Sequence, residues 1–149
     1  MSPVDLTLRL ALAVGLGAAI GIEREFRHKP AGLRTNMLIA LGSALFTILS
    51  IHLAEQGGTP DRVSAQIVTG IGFLGAGAIM RSGTSVHGMT TAATIWVNAA
   101  VGMAAGAGEF AMAGIATAIT LIVLALLPPI EAFFEHQADT APPGRGGDH

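Results

Sequence analysis

Five apolar stretches, each close to the length that crosses a lipid bilayer, dominate this sequence of 149 residues. A helix rises about 1.5 Å per residue, so about 20 apolar residues span a hydrocarbon core of about 30 Å. Only 12% of the residues are charged, against about a quarter in soluble domains, so most of the chain must avoid water. The sequence therefore predicts an all-α integral membrane protein with a bundle of five transmembrane helices. The stretches cover residues 4–22, 36–54, 63–80, 91–107 and 110–127.

The two ends of the chain differ from this pattern. Residues 130–149 are polar and rich in Pro and Gly, which predicts a disordered cytoplasmic tail after a transmembrane domain in residues 1–129. Pro128 and Pro129 are expected to end the fifth helix. At the other end, Asp5 precedes the apolar run and no basic segment leads it, so a retained first span is expected rather than a cleaved signal peptide.

The basic residues predict an orientation. Lys and Arg concentrate in the short loops that stay on the cytoplasmic side of a membrane. With the first loop in the cytoplasm, six of the eight basic residues lie on that side. We therefore expect the N-terminus outside and the C-terminus in the cytoplasm. The six are Arg24, Arg27, Lys29, Arg34, Arg81 and Arg145, and the other two are Arg9 and Arg62.

The chain also shows a weak internal repeat. A shift of 56 residues aligns the first two stretches with the third and fourth, and it places Gly32–Thr35 on Gly88–Thr91. Both halves would cross the membrane in the same direction, as a parallel repeat requires. In a chain so rich in Gly and Ala, duplication and coincidence both remain open.

The segment TGIGFLGAGAIM contains the spacing G-x-G-x-x-G, beginning at Gly70, of a dinucleotide-binding loop. Such a loop needs a preceding strand and an acidic residue about twenty positions later. Here the glycines lie inside an apolar stretch, and no acid occurs between Asp61 and Glu109. The segment therefore indicates a membrane helix, and neither a nucleotide cofactor nor a nucleic-acid partner is predicted.

Small residues four positions apart have a purpose in a membrane. Helices in lipid associate through close backbone approach, which small side chains permit. Three stretches are therefore predicted to carry packing faces, although the same glycines could instead bring backbone carbonyls to a central cavity. The pairs are Gly17 with Gly21, Gly72 with Ala76, and Gly102 with Gly106.

Polar groups within or beside apolar spans are costly, so they are candidates for function. Near the cytoplasmic ends of the first two helices lie Glu23, Arg24, Arg34 and Thr35, and an ion pair between Glu23 and Arg34 is feasible there. The alternative is that these residues only anchor helix ends at the interface.

Further candidates lie in the third and fourth stretches. Asn98 is deep enough to require a hydrogen-bond partner, for which Thr69 and Gln66 are the expected neighbours. Gln66 would otherwise bind another helix or a transported ligand, and Asp61 is expected to cap the third helix. The remaining candidates are Arg62, Thr91 and Trp96.

Several site classes are disfavoured. The chain has no cysteine, so zinc–thiolate sites and cysteine nucleophiles are excluded. Magnesium prefers convergent oxygen ligands, yet no acidic residue maps to the middle of a span. No metal site, cofactor or catalytic group is predicted.

Several blocks together resemble the bacterial MgtC/SapB family. They are GIERE, AGLRT, PDR followed by AQIVTGIGFLGAGAI, and GMTTAATIWVNAAVGMAAGAG, in this order. The resemblance implies an inner-membrane protein linked to magnesium-limited growth and to survival inside host phagocytes. It also implies a regulator that contacts the F-type ATP synthase and not an enzyme. Many members carry a soluble C-terminal domain, so a short form is expected here.

Two functions remain open on this basis. The first is regulation through helix contacts with a larger membrane assembly, with the lipid bilayer and a second copy of the chain as further partners. The second is a small transporter or channel for magnesium or another ion, with Gln66, Asn98 and the pair of Glu23 and Arg34 along its path. The first predicts sensitivity to enlarged small-residue faces, and the second predicts sensitivity to loss of the polar groups.

Overall fold

The computed structural model describes residues 1–59 and 61–139, except for the side chains of residues 61, 62 and 130–139. It confirms the predicted all-α membrane bundle of five helices. Three helices, Pro3–Phe26, Leu33–Glu55 and Phe110–Pro129, are long and apolar enough to cross a membrane by length and composition. In chain order the elements are α1 (Pro3–Phe26), α2 (Leu33–Glu55), α3 (Asp61–Gly77), β1 (Met80–Ser82), β2 (Ser85–His87), α4 (Met89–Ala107) and α5 (Phe110–Asp139).

The helix ends follow local chemistry. Ser2 caps α1, because its hydroxyl accepts a hydrogen bond from the Asp5 amide at 3.1 Å. At the start of α2 the N-cap residue is Gly32, which offers no side chain, and the Glu25 carboxylate accepts from the Leu33 amide instead, at 3.1 Å. The α1–α2 turn is therefore closed by a side chain from the preceding helix.

A short antiparallel hairpin joins α3 to α4. Strands β1 and β2 pair with Met80 opposite His87, and Gly83 takes a positive φ of 62° at the turn. The third apolar stretch was expected to continue to Met80 and to be followed by a loop, but α3 ends at Gly77. The prediction was wrong because the apolar residues after Gly77 lead into an exposed strand.

Helix α5 continues through its two prolines, so the expected helix end at Pro128 is wrong. Pro129 has no N–H group and cannot bond the carbonyl of Ala125, four residues earlier. Arg27 of α1 donates to that carbonyl, at 3.1 Å from Nη2 to O. The Ala125 carbonyl, which has no helical donor, therefore accepts its hydrogen bond from α1. Of the predicted tail, residues 140–149 lie outside the described residues.

Helix α2 lies between α1 and α4, and the backbones approach closely on both sides. A Cβ atom at Gly17 would lie 2.7 Å from the Asn36 carbonyl oxygen, and one at Gly102 would lie 2.8 Å from Ala40 Cα. Gly21 and Gly106 are similarly confined by Leu33 and Ala44. Four of the predicted packing residues therefore lie at helix contacts. The buried cluster around these contacts is Ala13, Ala40, Ala44, Val101, Ala105 and Ala113.

Helix α3 is less closely attached. A Cβ atom at Gly75 would contact Ala92 of α4 at 3.5 Å, which is ordinary van der Waals distance. At Gly72 nothing lies within 4 Å, and Ala76 is exposed. Among the described residues, the predicted packing face of Gly72 and Ala76 is therefore not closely packed against another helix.

Candidate functional site

An acidic and two basic side chains meet at the end of α1, and we call Glu23, Arg24 and Arg27 the arginine cluster. The Glu23 carboxylate lies 2.6 Å from Arg27 Nε and 4.0 Å from Arg24 Nη1. Its side chain is 13% exposed. Neither carboxylate oxygen has an aligned hydrogen bond among the described residues. The cluster is therefore held by ion-pair contact in a partly enclosed position.

Arg24 connects this cluster to α4. It is buried, and its Nη2 atom donates to the Thr91 hydroxyl at 3.1 Å. Thr91 is also buried, in the first turn of α4. The family blocks GIERE and GMTTAAT therefore meet in space through these two side chains.

The ion pair between Glu23 and Arg34 that the sequence made feasible does not form among the described residues. Glu23 instead pairs with Arg27, one helical turn further along α1, which is the nearer cation on the same face. Arg34 is exposed on α2 and forms no ion pair with the described residues.

The deepest polar contact joins α2 and α4. Asn98 Nδ2 donates to the Asn36 backbone oxygen at 2.7 Å and to Asn36 Oδ1 at 3.1 Å, and both residues are fully buried. Asn36 Nδ2 in turn donates to the carbonyls of Ala31 and Gly32. Ala31 has a positive φ of 57°, so the pair of asparagines also holds the strained α1–α2 turn.

The partner of Asn98 was not predicted. The expected neighbours, Gln66 and Thr69, are exposed on α3, and Thr69 bonds the Ala65 carbonyl of its own helix. Asn36, near the start of α2, was not among the predicted candidates. An Asn side chain that lies one turn after a loop and faces another helix needs a hydrogen-bond partner, as Asn98 does.

A further missed residue is Arg9, near the opposite end of α1. Its Nη1 atom donates to the Gly106 carbonyl at 2.8 Å, and its Nε atom lies 3.2 Å from the Asp5 carboxylate. Gly106 is in the last turn of α4, whose carbonyls lack helical partners. The signal in the sequence that could have identified Arg9 is a charged residue inside an apolar stretch. Arg9 and Arg24 therefore bind α4 near its two ends.

A groove of about 940 Å³ lies between α2 and α3, with Ile95 of α4 among its lining residues. We call it the α2–α3 groove. Arg34, Thr35 and Gln66 line it, and most of its other lining side chains are apolar. Three predicted site residues therefore line one groove, which includes neither Asn98 nor a residue of the arginine cluster.

Trp96 belongs to α4 and does not line the α2–α3 groove. It is 53% exposed and, with Gly72 and Ala76, lines a smaller depression between α3 and α4. The side chain of Arg62 and the predicted cap by Asp61 lie outside the described residues. The predicted candidates thus divide among a buried core, a groove and an uncovered helix face.

The five helices, the apolar spans and the buried polar contacts between them define a multi-pass helical membrane protein. Comparison with known proteins makes this more specific. The model of the MgtC family matches residues 10–133. The chain belongs to the MgtC family, and the resemblance read from the sequence blocks is confirmed.

Individual relatives support this assignment. Protein MgtC of Brucella abortus is 52% identical over 129 residues, which cover 87% of this chain and 54% of the relative. An uncharacterized protein of Synechocystis is 47% identical, over 87% of this chain and 55% of its own length. Protein MgtC of Salmonella typhimurium is 50% identical, over 80% and 51%. The chain thus spans about half the length of these relatives. No solved structure matches it.

Proposed function

We propose that this protein is a regulator in the bacterial inner membrane that acts through helix contacts with a larger membrane assembly and catalyses no reaction. The observation that carries this proposal is the uncovered face of α3. An added Cβ at Gly72 would meet nothing within 4 Å, whereas Gly17, Gly21, Gly102 and Gly106 are all in close contact with α2. Small residues that approach no helix of their own chain leave room for a helix of another protein.

The buried polar groups support the same proposed function. Arg24 binds Thr91, Asn98 binds Asn36, and Arg9 binds the carbonyl of Gly106. Each contact joins two helices of the bundle, which is the role expected of polar side chains in lipid. Among the described residues, no three side chains of His, Asp or Glu come together as metal ligands.

Following the family resemblance, we propose the F-type ATP synthase as the assembly. Growth in low magnesium and survival inside host phagocytes are the processes that this contact would affect. The proposed orientation has the N-terminus outside and the C-terminus in the cytoplasm, since Arg24, Arg27, Lys29 and Arg34 lie at or beside the α1–α2 turn. A second copy of the chain is the other candidate for the same face.

The test is copurification from magnesium-limited cells after membrane cross-linking. We expect the double variant Gly72→Leu, Ala76→Leu to lose about tenfold of the synthase recovered with the tagged wild-type protein, because bulky side chains prevent close helix approach. Gly15→Leu is the matched control, since Gly15 is exposed on α1 and also has no neighbour within 4 Å. Equal recovery with both variants would contradict the proposal, and recovery of only the chain itself would replace the synthase with a homo-oligomer.

One observation favours transport as the alternative. Asn98 Oδ1 is buried without a hydrogen-bond donor among the described residues, and the Glu23 oxygens are in a similar state. Such groups can bind a passing cation or proton. Magnesium and proton flux into proteoliposomes separates the two functions. Saturable flux that is lost in Glu23→Ala or Asn98→Ala would overturn the regulator.

A further inference from the structure

The α2–α3 groove is mostly apolar, with Ser43 and Gln66 among its polar lining residues, and it carries one positive charge. Among its described lining residues, Arg34 is the only charged one. It lies in the first turn of α2, where the apolar span begins. Thr35 adds a hydroxyl beside it. A groove of this kind presents a cation at the membrane interface and hydrocarbon-like walls below it.

The length of the groove corresponds to one leaflet of a bilayer. On α2 its lining extends from Arg34 to Phe46. This distance of twelve residues is about 18 Å along a helix. One leaflet contributes about half of the hydrocarbon thickness, or about 15 Å. An occupant with its head at Arg34 would therefore reach the middle of the membrane.

The groove is large enough for acyl chains. The groove offers about 940 Å³, which is near the upper limit of small-molecule sites. Its apolar lining includes Leu38, Phe46, Ile67 and Leu74.

We propose that the α2–α3 groove binds one anionic phospholipid, with the phosphate on Arg34 and the acyl chains along α2 and α3. Arg34 forms no ion pair with the described residues, so its charge is available to a phosphate. A zwitterionic lipid offers the same chains but no net charge. This site is independent of the proposed regulation, since Gly72 and Ala76 do not line the groove.

The test measures retained lipid by native mass spectrometry. The full chain is purified in detergent and equilibrated with an equimolar mixture of phosphatidylglycerol and phosphatidylethanolamine. We expect one retained phosphatidylglycerol per chain. In Arg34→Gln the preference should fall about fivefold, the contribution of one cation near an anionic lipid surface. Arg81→Gln is the charge-matched control, because Arg81 is exposed on the hairpin and does not line the groove.

Two further variants test the groove itself. A Cβ atom at Gly42 or Gly70 would meet nothing within 4 Å, and both residues line the groove. Gly42→Leu and Gly70→Leu should therefore fill it without disturbing the fold and should lose the bound lipid, whereas Gly15→Leu should retain it. Circular dichroism checks that each variant is folded.

Three results would overturn the proposal. The first is equal retention of the two lipids by the wild type, and the second is an unchanged preference in Arg34→Gln. The third is a change from dimer to monomer in Gly42→Leu with lipid retention unaltered, which would make the groove a contact between two copies. Each leaves the copurification result with Gly72→Leu, Ala76→Leu untouched, so the two proposals can fail separately.

Discussion

The two sides of the bundle use glycine in opposite ways. Between α1, α2 and α4, glycines press against backbone atoms, with hypothetical Cβ distances below 3.0 Å at Gly17 and Gly102. On α3, Gly70 and Gly72 have no neighbour within 4 Å. Glycine therefore permits close helix packing in one part of the molecule and leaves the helix surface without a packed neighbour in the other part. A small-residue pattern in a membrane helix indicates close approach but does not identify the partner that approaches.

The largest expected effect is that of replacing a glycine with leucine where α1, α2 and α4 are in close contact. Gly102→Leu must displace the backbone of Ala40 on α2, whereas Gly72→Leu meets no atom. We expect Gly102→Leu to lower the free energy of unfolding by more than about 3 kcal/mol, at the upper end of overpacking effects, and Gly72→Leu to change it little. Unfolding in mixed detergent, followed by circular dichroism, measures both. Equal stability of the two variants would show that the glycines of α4 and α3 do not differ in how tightly they are packed.

An intermediate effect is expected from the buried amides. Asn98→Leu removes the donor of the buried Asn36 Oδ1 and a second hydrogen bond to the Asn36 backbone oxygen, which should cost about 1–2 kcal/mol. Gln66→Leu on the open side should cost less than about 0.5 kcal/mol, since Gln66 is exposed. The same unfolding assay applies. The interpretation is contradicted if the Gln66 variant is the less stable of the two.

The smallest effect concerns Arg27 and Pro129. Arg27→Gln should cost about 1 kcal/mol by leaving the Ala125 carbonyl without its donor. In a Pro129→Ala background the amide of residue 129 can bond that carbonyl, so the cost of Arg27→Gln should fall by about half. A double-mutant cycle measures this coupling. Strictly additive effects would show that Arg27 acts only through its ion pair with Glu23.

The sequence predicted the five helices because lipid imposes a simple rule on length and hydropathy. It also predicted the packing residues of α1 and α4, because close contact in lipid requires small side chains. The same rule could not identify which helix, of this chain or of another protein, packs against Gly72 and Ala76. The repeat of 56 residues remains a prediction, although α2 and α4 do begin at the aligned residues Leu33 and Met89.

The missed features depend on contacts between distant segments. Pro128 and Pro129 are expected to stop a helix, yet α5 continues past them, and Arg27 supplies a donor to Ala125, 98 residues away. Glu23 was assigned to Arg34 from loop proximity, but the choice between two cations depends on the rotation of α1. Asn36 was missed for the same reason, because the face it presents to Asn98 is fixed only by helix packing.

The length of α5 carries its last turns out of the membrane. Its 30 residues extend about 45 Å, against about 30 Å for a hydrocarbon core. The turns beyond Pro129 therefore exceed the length that a crossing requires, and we call this extension the stalk. Arg27 donates to Ala125 just before the stalk, so this contact ties the direction of the stalk to the end of α1. Over about 15 Å, even a rotation of a few degrees becomes a displacement of about an ångström at its tip.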